Sequence, residues 1–260
     1  MNVNVISPLV TIAVPSFNQG RFLDDALASI FNQAVAVEVF VADGGSTDET
    51  LAVIRKWASR LAGWRSHRDG GQAAAINECI ARGTAPYVAW LNSDDLYLPG
   101  GLSAMLESLQ NSADWPAIYG KAWNVDAQLR RISRVRVQAF SRSRLARRCV
   151  ISQPATLIRR SAWEAVGGLD ESLHMALDYD LWWRLFNQFG VLGYVGQDIA
   201  LNRDHAQTKT RTQRKQHYRE AVTVVRKHHG RVPFRWWLAW PVSVWLRACL
   251  TTQKPVADGV

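Results

Sequence analysis

The chain has 260 residues, 48% hydrophobic and 20% charged, with a formal net charge of +9. This composition excludes a disordered polymer and leaves room for one large α/β domain, or one domain with an appended segment. The basic balance, with pI ≈ 9.9, suits a polyanionic partner such as a nucleotide diphosphate, an anionic membrane or nucleic acid, without choosing among them.

No basic region precedes the first apolar run, and Pro15 and Asn18 interrupt that run early, so no cleaved signal peptide is expected. Residues 9–14 form a short β-branched run that predicts a buried strand. Phe22, Leu23, Ala26, Leu27, Ile30 and Phe31 follow at helical spacing. Val37, Val39 and Val41 predict a second strand. Ser46 with Glu49 has the spacing of a capping box ahead of a helix carrying Leu51, Ile54, Trp57 and Leu61. Residues 71–81 predict a third helix stopped by Gly83. Residues 86–91 predict a third strand that runs into Asn92, Ser93, Asp94 and Asp95. This alternation implies right-handed crossovers and a parallel sheet, in which ligands bind at the carboxyl ends of strands. Three polar clusters fall at those ends: residues 15–18, 43–46 and 92–95.

Past Tyr119 the pattern changes. Residues 131–138 alternate basic and apolar side chains, as a half-exposed strand does. Residues 161–166 and 181–189 predict helices separated by Gly167 and Gly168. Beyond Asp204 come a basic helical stretch and a Trp-rich tail, residues 232–250. Cys79, Cys149 and Cys249 stand singly, as small buried residues of a reducing compartment do.

Adjacent carboxylates after a buried strand suit Mg²⁺ or Mn²⁺ better than packing, although a loop pair capping the helix near Pro99 has the same pattern. Asp43 with its two glycines fits a nucleotide contact or an ordinary turn, and Ser16 and Asn18 share that ambiguity. Asp180 suits the first turn of a helix, where the dipole favours it. Asp178 fits a helix cap or a catalytic base.

The ordered segments TIAVPSFNQGRFLDDALASIFNQ, VFVADGGSTDET, RDGGQAAAIN, VAWLNSDDLYLPGGL and QPATLIRRSAWEAVGGLDESLHMALDYDLWWRL resemble a family 2 glycosyltransferase of the GT-A fold, of the bacterial surface-polysaccharide type. The resemblance spans about residues 8–209. It implies an α/β domain with a Rossmann-like nucleotide-binding half (8–120) and an acceptor and catalytic-base half (121–209), followed by a basic helical extension (210–260). It places Pro15, Ser16 and Asn18 in the first nucleotide-binding segment, Asp43 at the base, and Asp69 and Gln72 in the rest of that pocket. Asn92-Ser93-Asp94 takes the D-x-D position, with Asp94 the metal carboxylate, Asp95 beside it and His205 as a distal ligand. Asp178 matches the general base. Lys209 and Gln153 fall near the pyrophosphate or acceptor. Apart from the resemblance, Trp182 and Trp183 follow the expected base, where an aromatic face can stack on an acceptor sugar, while consecutive positions on a helix assign one of the two to the core. Two departures matter: Asn92 replaces an acid, shifting metal binding to Asp94, and Leu177 precedes Asp178 where many relatives carry an acid.

The implied activity is inverting, Mn²⁺- or Mg²⁺-dependent transfer from a UDP-linked sugar to a glycan or lipid-linked acceptor, in the cytoplasm or at the inner face of the cell membrane. The alternative that Asn92 leaves open is a catalytically inactive sugar-nucleotide binder. Residues 232–250 carry Trp with flanking Arg, too interrupted to span a membrane; they suit an interfacial helix on an anionic leaflet, or a segment packed on the domain or a second subunit. A dinucleotide oxidoreductase would need G-x-G-x-x-G where the chain reads PSFNQG. Nucleic-acid binding would leave acidic clusters at three strand ends unexplained.

Overall fold

The computed structural model describes residues 7–240. The first half alternates as expected: β1 (Val10–Ser16), α1 (Gly20–Phe31), β2 (Val37–Asp43), α2 (Thr50–Trp57), β3 (Gly63–Ser66), α3 (Gln72–Arg82) and β4 (Tyr87–Trp90). Next come β5 (Leu96–Tyr97), α4 (Gly101–Gln110), β6 (Ala117–Val125), β7 (Arg131–Arg134), α5 (Arg142–Arg147), a 3-10 turn (Gln153–Ala155), β8 (Thr156–Arg159) and α6 (Arg160–Ala165). The described chain closes with α7 (Leu177–Phe189), β9 (Gly193–Arg203), α8 (Lys209–Thr212), α9 (Arg214–His229) and α10 (Phe234–Trp240).

The sheet runs β3-β2-β1-β4-β8-β6-β9-β5, with β7 on β6. It is parallel through β3, β2, β1 and β4, and mixed beyond, where β8 opposes both β4 and β6. Every residue of β1 is buried, because helices cover both faces of the sheet. The period-2 alternation sorts the strands into two cores. Ile12, Val14, Val39, Val41 and Leu91 pack with Leu23, Leu27 and Ile30 of α1. Ala13, Phe40, Ala42 and Trp90 pack on the opposite face with Ile76, Trp163 and Trp182.

Strand order reverses at β1, which lies between β2 and β4, so the β1/β4 boundary is the switch point where an open α/β sheet leaves a crevice. Pro15 is tolerated there because β1–β4 pairing ends at Ala13–Trp90; its missing N–H falls beyond the ladder.

Several elements differ from the sequence expectation. The capping box does not form: Ser46 Oγ donates to Asp43, and Asp48 Oδ1 instead accepts the Thr50 N–H at 3.0 Å. Asp48 Oδ2 also accepts the Gly20 N–H at 3.0 Å, so one carboxylate starts both α1 and α2. That contact requires glycine at position 20, where a Cβ would lie 2.5 Å from Thr50 N. β7 covers only half of the predicted 131–138 strand, and Val135 continues along the sheet with N–H to Ala122 O at 3.0 Å. β3, β5, β6, β8 and β9 were not expected. The helix predicted at 181–189 starts four positions earlier, at Leu177.

Residues 210–240 share the core of the preceding part, since Ala221, Val224 and Val225 are buried with Trp182 and Leu185. No described helix is long and apolar enough to cross a membrane. Residues 241–260, which include most of the Trp-rich tail and Cys249, lie outside the described residues. Cys79 and Cys149 are free, and burial raises both thiol pKa values, Cys79 to about 12.

Candidate functional site

The carboxyl ends of β1, β2 and β4 open into a cleft of about 1470 Å³. Ser16, Asn18, Gly44, Asp69, Asn92 and Asp94 line it, together with Asp178, Arg148, His217 and Arg235. The convergence of the three polar clusters on one sheet edge holds.

Their members do different work. Asp43 is fully buried. Its Oδ2 accepts from Gly45 N at 3.2 Å, Ser46 N at 3.0 Å and Ser66 Oγ at 2.6 Å, and Oδ1 from Ser46 Oγ. Both oxygens are engaged below the cleft wall, so Asp43 builds the loop; the expectation that it meets the base is corrected. Asn18 takes φ 52°, a left-handed conformation that Asn tolerates. It clamps the two loops, donating its N–H to Ser46 Oγ at 2.7 Å and accepting Thr47 N–H at 2.9 Å. Ser16 Oγ is buried on the cleft wall with no partner among the described residues, an orphan hydroxyl of the kind a ligand satisfies. Phe17, not singled out in the sequence, stands 61% exposed beside it.

A relay of amides crosses the floor. Gln72 donates to Asn92 Oδ1 at 2.7 Å and accepts from Lys209 Nζ at 2.9 Å. Asn92 Nδ2 donates to Asp95 Oδ2 at 3.0 Å and Gln153 Oε1 at 3.3 Å, while Gln153 donates to Trp90 O at 2.8 Å. Lys209 is exposed as a residue, but partial desolvation of its ammonium lowers its pKa, against the charges of Glu220, Asp69 and Asp94. Asp69 lies on the cleft wall with Oδ2 held by Arg65 at 2.8 Å. Ser93 is buried within the β4–β5 turn.

β5 pairs with β9, matching Leu96 to Leu201, and this brings the 92–95 turn against Arg203 and His205. Asp94 Oδ2 lies 3.1 Å from His205 Nε2. His205 Nδ1 faces two donors, Arg21 Nη2 and Gln207 N, each at 3.3 Å. Nδ1 therefore accepts, and Nε2 faces and orients the Asp94 carboxylate. Asp95, expected as a second metal ligand, also lines the cleft but has both oxygens engaged by protein donors. It is buried, with Oδ1 accepting from Arg203 N at 3.0 Å and Oδ2 from Asn92. Burial and the Asp94 charge push its pKa well above the ordinary carboxylate value. Arg203, which sequence reasoning missed, fixes the turn by donating to Asp94 O and Asp25 Oδ2, each at 3.0 Å.

No group of three His, Cys, Asp or Glu among the described residues is arranged to hold a metal. Mg²⁺ and Mn²⁺ nevertheless fit the donors present, since such ions commonly take one or two carboxylates and complete their shell from water and substrate phosphate. Asp94, which lines the cleft, is the candidate for such a carboxylate.

Helix α7 separates Asp178 from Asp180. Two residues along a helix rotate a side chain by about 200°, so the pair cannot share a face. Asp180 is fully buried, paired with Arg184 at 2.6 Å and His228 at 2.7 Å. Asp178 lines the cleft. Desolvation raises its pKa, opposed by His217 and the Tyr179 N–H. Trp182 and Trp183, expected to stack on an acceptor sugar, are both 0% exposed; Trp182 stacks on Trp90 at 6.0 Å and Trp183 on His228 at 6.1 Å. That expectation is corrected: both follow the buried face of α7.

Glu220 of α9 holds the start of α7. Its Oε2 accepts from His174 N at 3.1 Å, Met175 N at 2.7 Å and Ala176 N at 3.0 Å. Although burial opposes it, these N–H groups and Gln216 hold the Glu220 pKa below the ordinary 4.5. Glu220→Gln is expected to lose about 1–2 kcal/mol of stability at pH 7, the scale of a charged helix cap. Because the folded pKa is depressed, this contribution is present above about pH 4.5 and is lost as pH falls through the folded value. Urea unfolding of both proteins between pH 7 and 3 should show the gap closing; a constant gap would refute the assignment.

The chain matches Glycosyl transferase family 2 over residues 11–167, and it belongs to that family: the protein is a glycosyltransferase. It is 26% identical over 222 residues to a glycosyltransferase of Rickettsia prowazekii, covering 82% of this chain and 69% of that protein. It is 28% identical over 218 residues to the chondroitin synthase of Pasteurella multocida, covering 81% of this chain but only 22% of that protein. Among solved structures it resembles residues 1–349 of S. aureus TarS in complex with UDP-GlcNAc, with TM-score 0.69, 16% identity, and coverage of 84% of this chain and 66% of that one. It also resembles the mannosyltransferase PcManGT of Pyrobaculum calidifontis in complex with GDP-Man and Mn²⁺, with TM-score 0.69, 17% identity, and coverage of 98% and 77%. The fold is GT-A.

Proposed function

We propose that this family 2 glycosyltransferase moves a sugar from a nucleoside diphosphate, UDP by preference, to a hydroxyl of a glycan or lipid-linked acceptor in bacterial polysaccharide assembly, inverting the anomeric configuration. One observation carries the reading: Asp94, oriented by His205, and Asp178, at the start of α7, line a single cleft at the switch point of the sheet.

The donor's nucleoside lies against Ser16, Phe17 and Asp69, where the orphan Ser16 hydroxyl gains a partner. Lys209 and Gln72, joined by a 2.9 Å hydrogen bond, reach the diphosphate together. Mn²⁺ or Mg²⁺ at Asp94 would neutralise the charge growing on the leaving diphosphate. Asp178 accepts the proton of the acceptor hydroxyl as its oxygen bonds to the anomeric carbon and the bond to the diphosphate breaks; its raised pKa suits a proton acceptor. Attack from the side opposite the leaving group inverts the centre. A thermal-shift panel of UDP, GDP and dTDP with Mn²⁺ tests the donor side: UDP is expected to stabilise most, and a larger shift with GDP would reassign the base.

Membrane contact is part of the same proposal. Phe234, Trp237 and Leu238 of α10 are 71%, 55% and 64% exposed, while Trp236 between them is tied down by its Nε1 to Ala146 O at 2.8 Å. This apolar face beside basic residues suits an anionic leaflet. Replacing Phe234, Trp237 and Leu238 by Ser in the full chain should reduce flotation with phosphatidylglycerol vesicles several-fold; unchanged flotation would remove α10 from membrane contact.

A further inference from the structure

The cleft adjoins an open side cavity of about 570 Å³ lined by Arg136, Arg144, Arg147, Arg148 and Arg235. Arg147, Arg148 and Arg235 line both spaces. No carboxylate among the described residues forms an ion pair with any of the five. The crowding is real: desolvation, then Arg136 and Arg235, lower the pKa of half-buried Arg148. Like charges gathered without a counter-ion repel one another, and an anionic ligand would offset that repulsion.

The arginines come from separate parts of the chain; Arg136, Arg144, Arg147 and Arg235 are exposed and Arg148 is half-buried. Arg136 follows β7, Arg144 and Arg147 belong to α5, and Arg235 belongs to α10. α10 is fixed on α5 through Trp236, whose ring also meets Tyr218 at 5.4 Å and Tyr179 at 6.5 Å. Tyr218 lines the adjoining cleft, and its buried hydroxyl has no partner among the described residues. The donor end already has Asp94, Lys209 and Ser16, so this second set belongs to the acceptor.

We propose that the acceptor carries a phosphate or diphosphate group, gripped by this arginine cavity while its hydroxyl meets Asp178. The proposal rests on the transferase reading above and names the chemistry of its second substrate. A carboxylate is satisfied by one or two guanidinium forks. A diphosphate presents more oxygens and more charge, matching several forks at once. The position beside α10 suits a diphosphate at the head of a lipid chain, whose tail would leave toward the exposed Phe234 and Trp237.

The test uses the full-length protein saturated with UDP and Mn²⁺, so that the donor site is closed to added phosphate. Binding of a monomeric alkyl diphosphate is compared with inorganic pyrophosphate, the matching alkyl alcohol, a hexuronate oligosaccharide and phosphatidylglycerol vesicles. The partner variant is Arg136→Gln with Arg144→Gln, since both line only the side cavity. Alkyl diphosphate should bind at least tenfold tighter than the alcohol or the hexuronate. The double variant should weaken it by about 10²-fold, near tenfold for each charge-assisted contact, with UDP affinity unchanged. Pyrophosphate should lose affinity in parallel, whereas vesicle binding should persist, which separates an acceptor phosphate from a membrane headgroup. Equal affinity for diphosphate and alcohol, tighter hexuronate binding, or an unaffected variant would overturn the proposal while UDP binding leaves the donor reading standing. A wild type that fails to bind UDP overturns the donor reading, and this proposal with it.

Discussion

Asp178→Asn lowers the transfer rate by about 10²–10⁴-fold, the usual worth of a general base, and leaves UDP affinity within about twofold. The substitution keeps the size and shape of the side chain at the start of α7, so the Glu220 cap and the Asp180 ion cluster stay intact. Only the capacity to take a proton is lost. The pH profile provides an independent signature. Desolvation raises the Asp178 pKa above its ordinary 3.8, so the ionised, proton-accepting form disappears as pH falls through that raised value. The acid limb of kcat/KM should therefore lie at higher pH than for a free carboxylate, and it should be absent from the residual activity of the variant. A variant that turns over at the wild-type rate would remove Asp178 from the chemistry.

Asp94→Ala abolishes the strengthening of UDP binding by Mn²⁺. Calorimetry should show a wild-type affinity that rises on adding the ion and a variant affinity that does not, a difference of about 10²-fold, or about 2.7 kcal/mol. The reason is local. Asp95 has both oxygens engaged by Arg203 and Asn92, and Asn92 offers a neutral amide, so no neighbour replaces the missing carboxylate. Metal-independent UDP binding by the wild type would sink this assignment. Asp95→Asn is a useful contrast, because it disturbs the turn through Arg203 and so lowers stability.

The nucleotide-binding half was legible because its signals are local. Apolar runs of strand length, helical spacing from Phe22 to Phe31 and polar clusters after each strand follow from the chain's own periodicities. β3, β6, β8 and β9 were harder to see. GWRS is an edge strand with only four residues, and AIYGKAWNV and GYVGQDIALNR interrupt their apolar pattern with glycine and charge. Such strands are specified by their partners across the sheet. Sequence reasoning overreached at three places. Asp43, Asp95 and the tryptophans at 182 and 183 carry suitable side chains at suitable sequence positions, but burial and hydrogen bonding commit them elsewhere. Arg203 and Glu220 escaped notice because each acts on a segment far away in sequence, 109 positions for Arg203 to Asp94 and 44 for Glu220 to Ala176.

By itself the sequence determined the family, the alternating α/β half and the candidacy of Asp94 and Asp178, since these depend on residue type and spacing along one stretch of chain. Tertiary structure alone decided how each carboxylate is engaged. In each pair of neighbouring acids the two carboxylates are held differently. Asp94 meets His205 whereas Asp95 accepts from Arg203 and Asn92, and Asp178 lines the cleft whereas Asp180 is paired with Arg184 and His228. A buried carboxylate is tolerated only where donors satisfy it, and two of those donors, Arg203 and His228, come from β9 and α9, which no local pattern could position. The same packing gathered five arginines from three segments into one cavity, a concentration of charge that the net +9 of the chain could not locate.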